Sequence, residues 1–272
     1  MQSAIKLNYG STQYILSEKM QQFPQLSRLL NGTLGYTNVG NYSRAKVFAR
    51  QMSELELRSM NKILDLGCGY GENAVTISQA LPLKKVYALD TDGNALQKLR
   101  TARENQSLRN LVVHQGKMDS LPENNFDLIY SVDVFDKLPA EEMPFESCYA
   151  RLKKGGYLMV KIPNKQQHTI FSKKYFGGGN EHAATEHPGQ VYFLQDLAKR
   201  FQKTGFRIIL SEQTEGPLSR LAWEIGYFMK KGGAVTQLLS LPLCKLLVNL
   251  DMMFFPNGTK KGNAITVIGQ KI

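Results

Sequence analysis

The sequence predicts an α/β domain built around a mostly parallel sheet, and two stretches carry that prediction. Lys62 to Gly71, K-I-L-D-L-G-C-G-Y-G, is an apolar strand that ends in an acid and runs straight into a three-glycine turn. Val86 to Asp92, V-Y-A-L-D-T-D, is a second buried-type strand with Asp90 at its end. Each is followed by a helical pattern. E-N-A-V-T-I-S-Q-A-L opens at Glu72 and puts Ala74, Ile77 and Ala80 or Leu81 on one face, and N-A-L-Q-K-L-R-T-A-R follows the second strand. Strand, tight turn and helix, repeated, make a βαβ unit. A chain of 272 residues with 42% hydrophobic content is long enough to bury one such core with appended elements, so one domain is expected.

The glycine turn is the first candidate site. Gly67, Gly69 and Gly71 alternate with Leu66, Cys68 and Tyr70, which lets the backbone take positive φ and keeps Cβ atoms off the side a ligand would approach. A dinucleotide fingerprint needs a third glycine where this chain has Glu72, a carboxylate that would face the pyrophosphate. A phosphate-binding P-loop needs Gly-Lys-Ser/Thr, and Glu72, Asn73 and Ala74 do not supply it. Asp90 stands at the carboxyl edge of the neighbouring strand, where open α/β sheets bind ligands, and a carboxylate there can accept both hydroxyls of a ribose. Its other reading is a helix N-cap, a role that Asp92, beside Gly93, fills better.

The remaining pattern, D-x-G-x-G-x-G from Asp65 to Gly71, resembles the first motif of the class I S-adenosylmethionine-dependent methyltransferases. The resemblance continues in order. A third strand at Asn110 to His114 leads into Q-G-K-M-D-S-L-P, similar to the family's adenine loop but with Lys117 where the family has an acid. N-F-D-L-I-Y-S-V-D-V-F-D-K-L resembles the fourth-strand motif, and R-L-K-K-G-G-Y-L-M-V-K-I-P, Arg151 to Pro163, the turn and fifth strand, with Gly155 and Gly156 allowing the reversal. Where many relatives carry Glu-His-Leu, this chain reads Asp136, Lys137 and Leu138.

The resemblance implies a Rossmann-like, seven-stranded, mostly parallel sheet with an antiparallel last strand, and S-adenosylmethionine as cofactor. It also implies residues. Asp65, Gly67, Cys68, Gly69 and Gly71 would hold the methionine portion, Asp90 the ribose, Met118 and Asp119 the adenine side, and Thr91 and Ser131 would lie beside the cofactor. No metal is expected. The domain divides into an N-terminal helical lid (1–60), the Rossmann-like core (61–212), a helical insert (213–262) and the last strand (263–272).

Flanking segments should carry the substrate. Leu34 to Met52 is a glycine and tyrosine loop followed by a helix with Ala45, Phe48, Ala49 and Met52 on one side, so Tyr36 and Tyr42 are lid candidates or ordinary packing aromatics. Phe176 to Leu197 opens with three successive glycines followed by two Glu-His pairs. His187 with Glu186 resembles the Glu-His position of small-molecule methyltransferases and could take a hydroxyl proton or merely staple the loop, with His182 behind it.

About fifty residues separate the expected sixth strand, Gly205 to Glu212, from the last, Asn263 to Ile272, a length that points to function. The insert is rich in Leu, Met and Phe, with Pro242, Lys245, Asn249 and Asp251 interrupting the run against a bilayer span. A helix pair covering substrate, docking at a membrane through 235–255, forming a homodimer or simply capping the sheet fits it. The net charge of +11 suits an anionic surface or substrate. Its lysine pairs are scattered, and Ser131, Val132, Asp133 and Val134 replace the element that grips an extruded base, which disfavours nucleic acid. Cys68, Cys148 and Cys244, with no apolar leader in Met1 to Tyr14, fit a cytoplasmic setting. The expected activity is methyl transfer to oxygen on a small-molecule or lipid-linked acceptor.

Overall fold

The computed structural model describes Leu7 and residues 22–33, 35–171 and 192–272. Helices α1 (Pro24–Thr33) and α2 (Val39–Ser53) precede the sheet. Then come β1 (Lys62–Leu66), α3 (Glu72–Ala80), β2 (Lys85–Asp90), α4 (Gly93–Asn105), β3 (Leu111–Gln115), β4 (Phe126–Val132), α5 (Phe145–Arg151) and β5 (Leu152–Pro163). The chain closes with α6 (Leu194–Thr204), β6 (Phe206–Thr214), α7 (Pro217–Lys231), α8 (Ala234–Phe254) and β7 (Ala264–Lys271). The seven strands lie in the order β3-β2-β1-β4-β5-β7-β6, parallel from β3 to β5, with β7 antiparallel to both its neighbours. This is the expected fold class, including the antiparallel last strand and the helical insert before it.

Period-two alternation sends successive side chains to opposite faces and creates two cores. Ile63, Val86, Ala88, Leu128, Tyr130 and Met159 meet α2, α3 and α4, while Leu64, Leu66, Tyr87, Leu89, Ile129 and Leu158 meet α5 and α6. Each fully buried Leu or Ile contributes about 1.5–3 kcal/mol by leaving water. The helical faces follow the sequence pattern: α3 buries Ala74 and Ile77, and α2 buries Ala45, Phe48 and Met52. Asp92 is the N-cap of α4, its carboxylate accepting from the Asn94 and Ala95 N–H groups.

The Lys153 to Gly156 stretch behaves differently from the turn expected there. β5 already pairs at Leu152 with Phe126, and the register jumps before Leu128 meets Tyr157, so the glycines form a bulge inside the strand. A Cβ at Gly156 would come within 2.9 Å of the Lys153 and Phe126 carbonyl oxygens, so only glycine fits.

The insert is a helical hairpin. α8 runs unbroken for 21 residues through Pro242, Lys245, Asn249 and Asp251, and is the one described helix long and apolar enough to cross a membrane by length and composition. The four residues that the sequence reading set against a bilayer span do not keep the helix from passing that test, and two of them tie it down. The Tyr42 hydroxyl donates to Asn249 Oδ1 at 2.9 Å. The buried Asp251 carboxylate accepts from Gly216 N, Leu218 N and Ser219 Oγ at 2.8–3.0 Å, capping α7, whose own N-cap is a glycine without a side-chain bond. Val39, Ala222, Cys244 and Val248 form a small third core that joins the hairpin to α2.

Candidate functional site

β1 and β2 lie side by side, and their carboxyl ends place the glycine turn against Asp90. Gly67 N and Cys68 N donate to the Leu89 carbonyl at 2.8 and 3.1 Å, stitching the turn to β2. The Asp90 carboxylate accepts from Gly69 N at 2.7 Å through Oδ2 and from Asp92 N at 2.9 Å through Oδ1. Two of its lone pairs thus hold two backbone turns in place, and a carboxylate has capacity for further donors.

The three glycines differ in what they do. All have positive φ, at 74°, 52° and 79° in order. A Cβ on Gly67 would lie 2.4 Å from Val134 Cγ2, and one on Gly71 would lie 2.5 Å from the Leu99 methyl groups. Nothing stands within 4 Å of a Cβ on Gly69. Gly67 and Gly71 are therefore packing requirements, and only Gly69 fits the expectation of backbone left bare toward a ligand.

Asp65, one residue before the end of β1, is 2% exposed, and its Oδ2 makes no hydrogen bond among the described residues. Burial pushes its carboxyl up to about 7; nearby Asp90 adds to the rise, while the Tyr130 hydroxyl and the Ala74 N–H at the start of α3 act against it. A buried acceptor with an open valence beside a helix N-terminus calls for an outside donor. Burial, with Asp65 and Asp90 beside it, raises the Cys68 thiol far above its usual range, so it is no nucleophile at neutral pH.

The other sequence candidates separate. Tyr36 is buried and its hydroxyl donates to Glu72 Oε1 at 2.7 Å, which sets it over the first turn of α3 and gives Glu72 a role inside the protein. Tyr42 packs edge-on to Tyr36 with centroids 6.3 Å apart and ends on α8, a joint between α2 and the hairpin. Thr91 is exposed in the turn after β2. Met118 is buried in the second core, and Asp119 turns toward α5 to accept from Ser147 Oγ at 2.8 Å. Ser131 is fully buried and donates to the Leu66 carbonyl at 2.8 Å, tying β4 to the end of β1. His182 and His187 lie outside the described residues.

A charged cluster at the ends of β4 and β5 escapes the sequence reading. Lys161 is 1% exposed, with Nζ 3.1 Å from Glu215 Oε1 and 3.9 Å from Asp133 Oδ1. Burial opposes its charge, but Asp133 and Glu215 outweigh that and raise its pKa above the ordinary lysine value. Arg44 Nε reaches Asp133 Oδ2 at 3.3 Å from α2. Asp133 and Glu215 both take φ near +60°, at 56° and 60°, a conformation that is costly for non-glycine residues and gathers at functional sites. Val134 links the two regions, since it follows Asp133 and packs on Gly67. The available signal was a lone lysine inside the apolar run L-M-V-K-I-P, which predicts a buried, paired charge.

A cavity of about 190 Å³ lies elsewhere, between the start of α2 and the hairpin, lined in part by Thr37, Trp223, Tyr227, Lys230 and Leu241.

A family model described as a methyltransferase domain matches residues 57–213. The chain is 32% identical over 111 residues to a trans-aconitate 2-methyltransferase of Deinococcus radiodurans, covering 41% of each chain. It is 32% identical over 114 residues to a phosphoethanolamine N-methyltransferase of Plasmodium falciparum, covering 40% of this chain and 41% of the relative. The chain thus spans about two fifths of the length of these curated relatives. Among solved structures it superposes on phosphoethanolamine N-methyltransferase 2 of Haemonchus contortus in complex with S-adenosyl-L-methionine, with TM-score 0.60, 15% identity and coverage of 84% of this chain and 52% of that one, a likeness of fold.

Proposed function

The chain belongs to the class I S-adenosylmethionine-dependent methyltransferases, and from that premise we propose that it methylates a small-molecule or lipid-linked acceptor, on oxygen, in a biosynthetic reaction. The observation that carries the cofactor side of this reading is the buried Asp65 Oδ2, which makes no hydrogen bond among the described residues, next to the open Gly69. S-adenosylmethionine carries an ammonium group, a ribose diol and no phosphate, and the acids that disfavour a pyrophosphate here suit it.

When bound, the cofactor supplies an electrophilic methyl carbon on a sulfonium. Asp65 would receive the ammonium and be held ionised by it. Asp90, already fixed by two backbone N–H groups, would accept from the ribose hydroxyls without reorganising. Asp119, directed at Ser147, is a weaker candidate for the adenine than the backbone around Met118.

Methyl transfer is an in-line displacement, so catalysis rests mainly on orientation and exclusion of water. Tyr36, buried against Glu72, would close the N-terminal side of the pocket. The acceptor would enter at the ends of β4 and β5, where Lys161, Asp133, Glu215 and Arg44 provide a fixed polar floor. The relatives named for trans-aconitate and phosphoethanolamine support a small acceptor. The three cysteines are unbridged, which supports a reducing, cytoplasmic setting. His187 is the proposed base for a hydroxyl acceptor: His187→Ala should lose turnover and keep cofactor affinity.

Titration calorimetry tests the cofactor side. S-adenosylmethionine should bind, and Asp90→Ala should weaken it by at least about tenfold, the loss expected for hydrogen bonds to a charged group. Unchanged affinity would remove the ribose assignment. Mass spectrometry of a cell extract incubated with enzyme and methyl-labelled cofactor then identifies the acceptor as the labelled product; binding without any labelled product would point to a non-catalytic role.

A further inference from the structure

We infer that the outer face of the α7–α8 hairpin docks on an anionic lipid bilayer, with α8 lying in the plane of the interface. Along α8, Val235, Leu239, Leu243, Leu246 and Met253 are 69%, 76%, 52%, 53% and 61% exposed. Their spacing keeps them within one stripe of a helix, about 27 Å long at 1.5 Å per residue. A stripe of this length on the surface marks an interaction site.

Charge selects the occupant. Between residues 217 and 262 the only acids are Glu224 and Asp251. Both are buried and turned inward: Asp251 caps α7, and Glu224 accepts from Ile170 N and Phe171 N at 2.7 and 2.9 Å. The exposed Lys230 and Lys231 stand at the turn before α8, and the exposed Lys260 and Lys261 stand just after its end. The apolar stripe is thus flanked at both ends by lysine pairs, with no acid on the hairpin's surface. Exposed Phe254, near the end of α8, adds an aromatic side chain of the kind that favours a headgroup boundary.

A second copy of the chain would bring the same lysines, and a net charge of +11, against their like. A bilayer rich in acidic headgroups meets both the stripe and its flanks. Spanning is disfavoured because Asn249 and Asp251 bind α8 to Tyr42 and α7, and leaving the hairpin would strip three hydrogen bonds from the Asp251 carboxylate. The inference does not rest on the methyl-transfer reading.

Vesicle sedimentation of the full chain tests it, using phosphatidylcholine vesicles with and without about one-third phosphatidylglycerol. The protein should sediment with the anionic vesicles, weakly with phosphatidylcholine alone, and less as salt is raised. Leu239→Glu/Leu246→Glu and Lys230→Glu/Lys231→Glu should each weaken binding by at least about tenfold, given that each basic residue near such a surface matters severalfold. Circular dichroism and cofactor calorimetry on the same variants should match the unmodified chain, which separates a failed surface from a failed fold or cofactor site. Absence of sedimentation, indifference to the leucine substitutions, or a dimer by light scattering that the leucine substitutions dissociate would overturn the inference.

Discussion

The strand-end site and the hairpin handle buried acids in opposite ways. At the ends of β1 and β2, Asp65 is buried with one oxygen left open, and Asp90 holds two turns while keeping capacity for more. In the hairpin, Asp251 and Glu224 are buried and engaged by backbone and side-chain donors from their own protein. An acid that completes its own valences builds structure. Asp65, with one buried oxygen unbonded among the described residues, has its pKa raised, and this is the kind of acid that an outside donor would complete. The hairpin instead exposes a stripe of apolar side chains along α8, with exposed lysines at both of its ends.

The sharpest break of this comparison removes an engaged acid. Asp251→Ala leaves Gly216 N, Leu218 N and Ser219 Oγ without their acceptor at the start of α7. The loss should be about 3–4 kcal/mol in chemical denaturation, the scale of unmade buried bonds to a charged group. Cofactor affinity of the folded fraction should stay within about threefold, because the cap belongs to the hairpin.

Within the glycine turn the same logic separates two neighbours. Gly67→Ala adds a left-handed penalty to a clash with Val134, for a destabilisation of about 2–3 kcal/mol. Gly69→Ala meets no atom and should cost about 1 kcal/mol of stability, yet weaken cofactor binding more strongly than its stability cost. Thermal unfolding with and without S-adenosylmethionine reads both. Equal stability losses at the two positions would contradict the packing role assigned to Gly67.

Asp65 gives a pH signature. Its folded pKa of about 7 stands above the ordinary 3.8, so the neutral form stabilises the apoprotein: the contribution is complete below about pH 4 and is lost as pH rises through 7. Binding of an ammonium group favours the ionised form and runs the other way. Below pH 7, cofactor affinity should fall about tenfold per pH unit, or about 1.4 kcal/mol. In Asp65→Asn the slope should flatten at a uniformly weaker affinity. A wild-type affinity that does not change between pH 5.5 and 7 would show that Asp65 is not ionised on binding.

What the sequence revealed, and what it hid, follows from the range of the forces involved. Strands, helices and the Asp92 cap were legible because periodicity and capping are local. Asp65 and Asp90 were legible because strand ends in a parallel sheet converge on one edge. The separate duties of the three glycines were not, since Val134 and Leu99 reach Gly67 and Gly71 from elsewhere in the chain. Nor was the Lys161 cluster, whose partner Glu215 is 54 residues away and stands just past the end of β6, on the far side of β7 from β5. Asp119 looked free to meet a ligand, but α5 brings Ser147 to it.

The smallest effect tests whether the N-terminal segment is a lid or a fixed wall. Tyr36 is buried and donates to Glu72 on the first turn of α3, where a carboxylate also favours the helix dipole. Tyr36→Phe keeps the ring and its edge contact with Tyr42 but removes that bond. Stability should fall by about 1 kcal/mol, the net value of a typical hydrogen bond. If the segment is a fixed wall, the cofactor's association and release rates should be unchanged, since the ring still fills its position. If it is a lid latched by this bond, release should quicken about fivefold with little change in association. Stopped-flow measurement of cofactor release distinguishes the two. Faster release would place Tyr36 with the open acids of the strand-end site, and an unchanged rate with the engaged residues that only hold the fold.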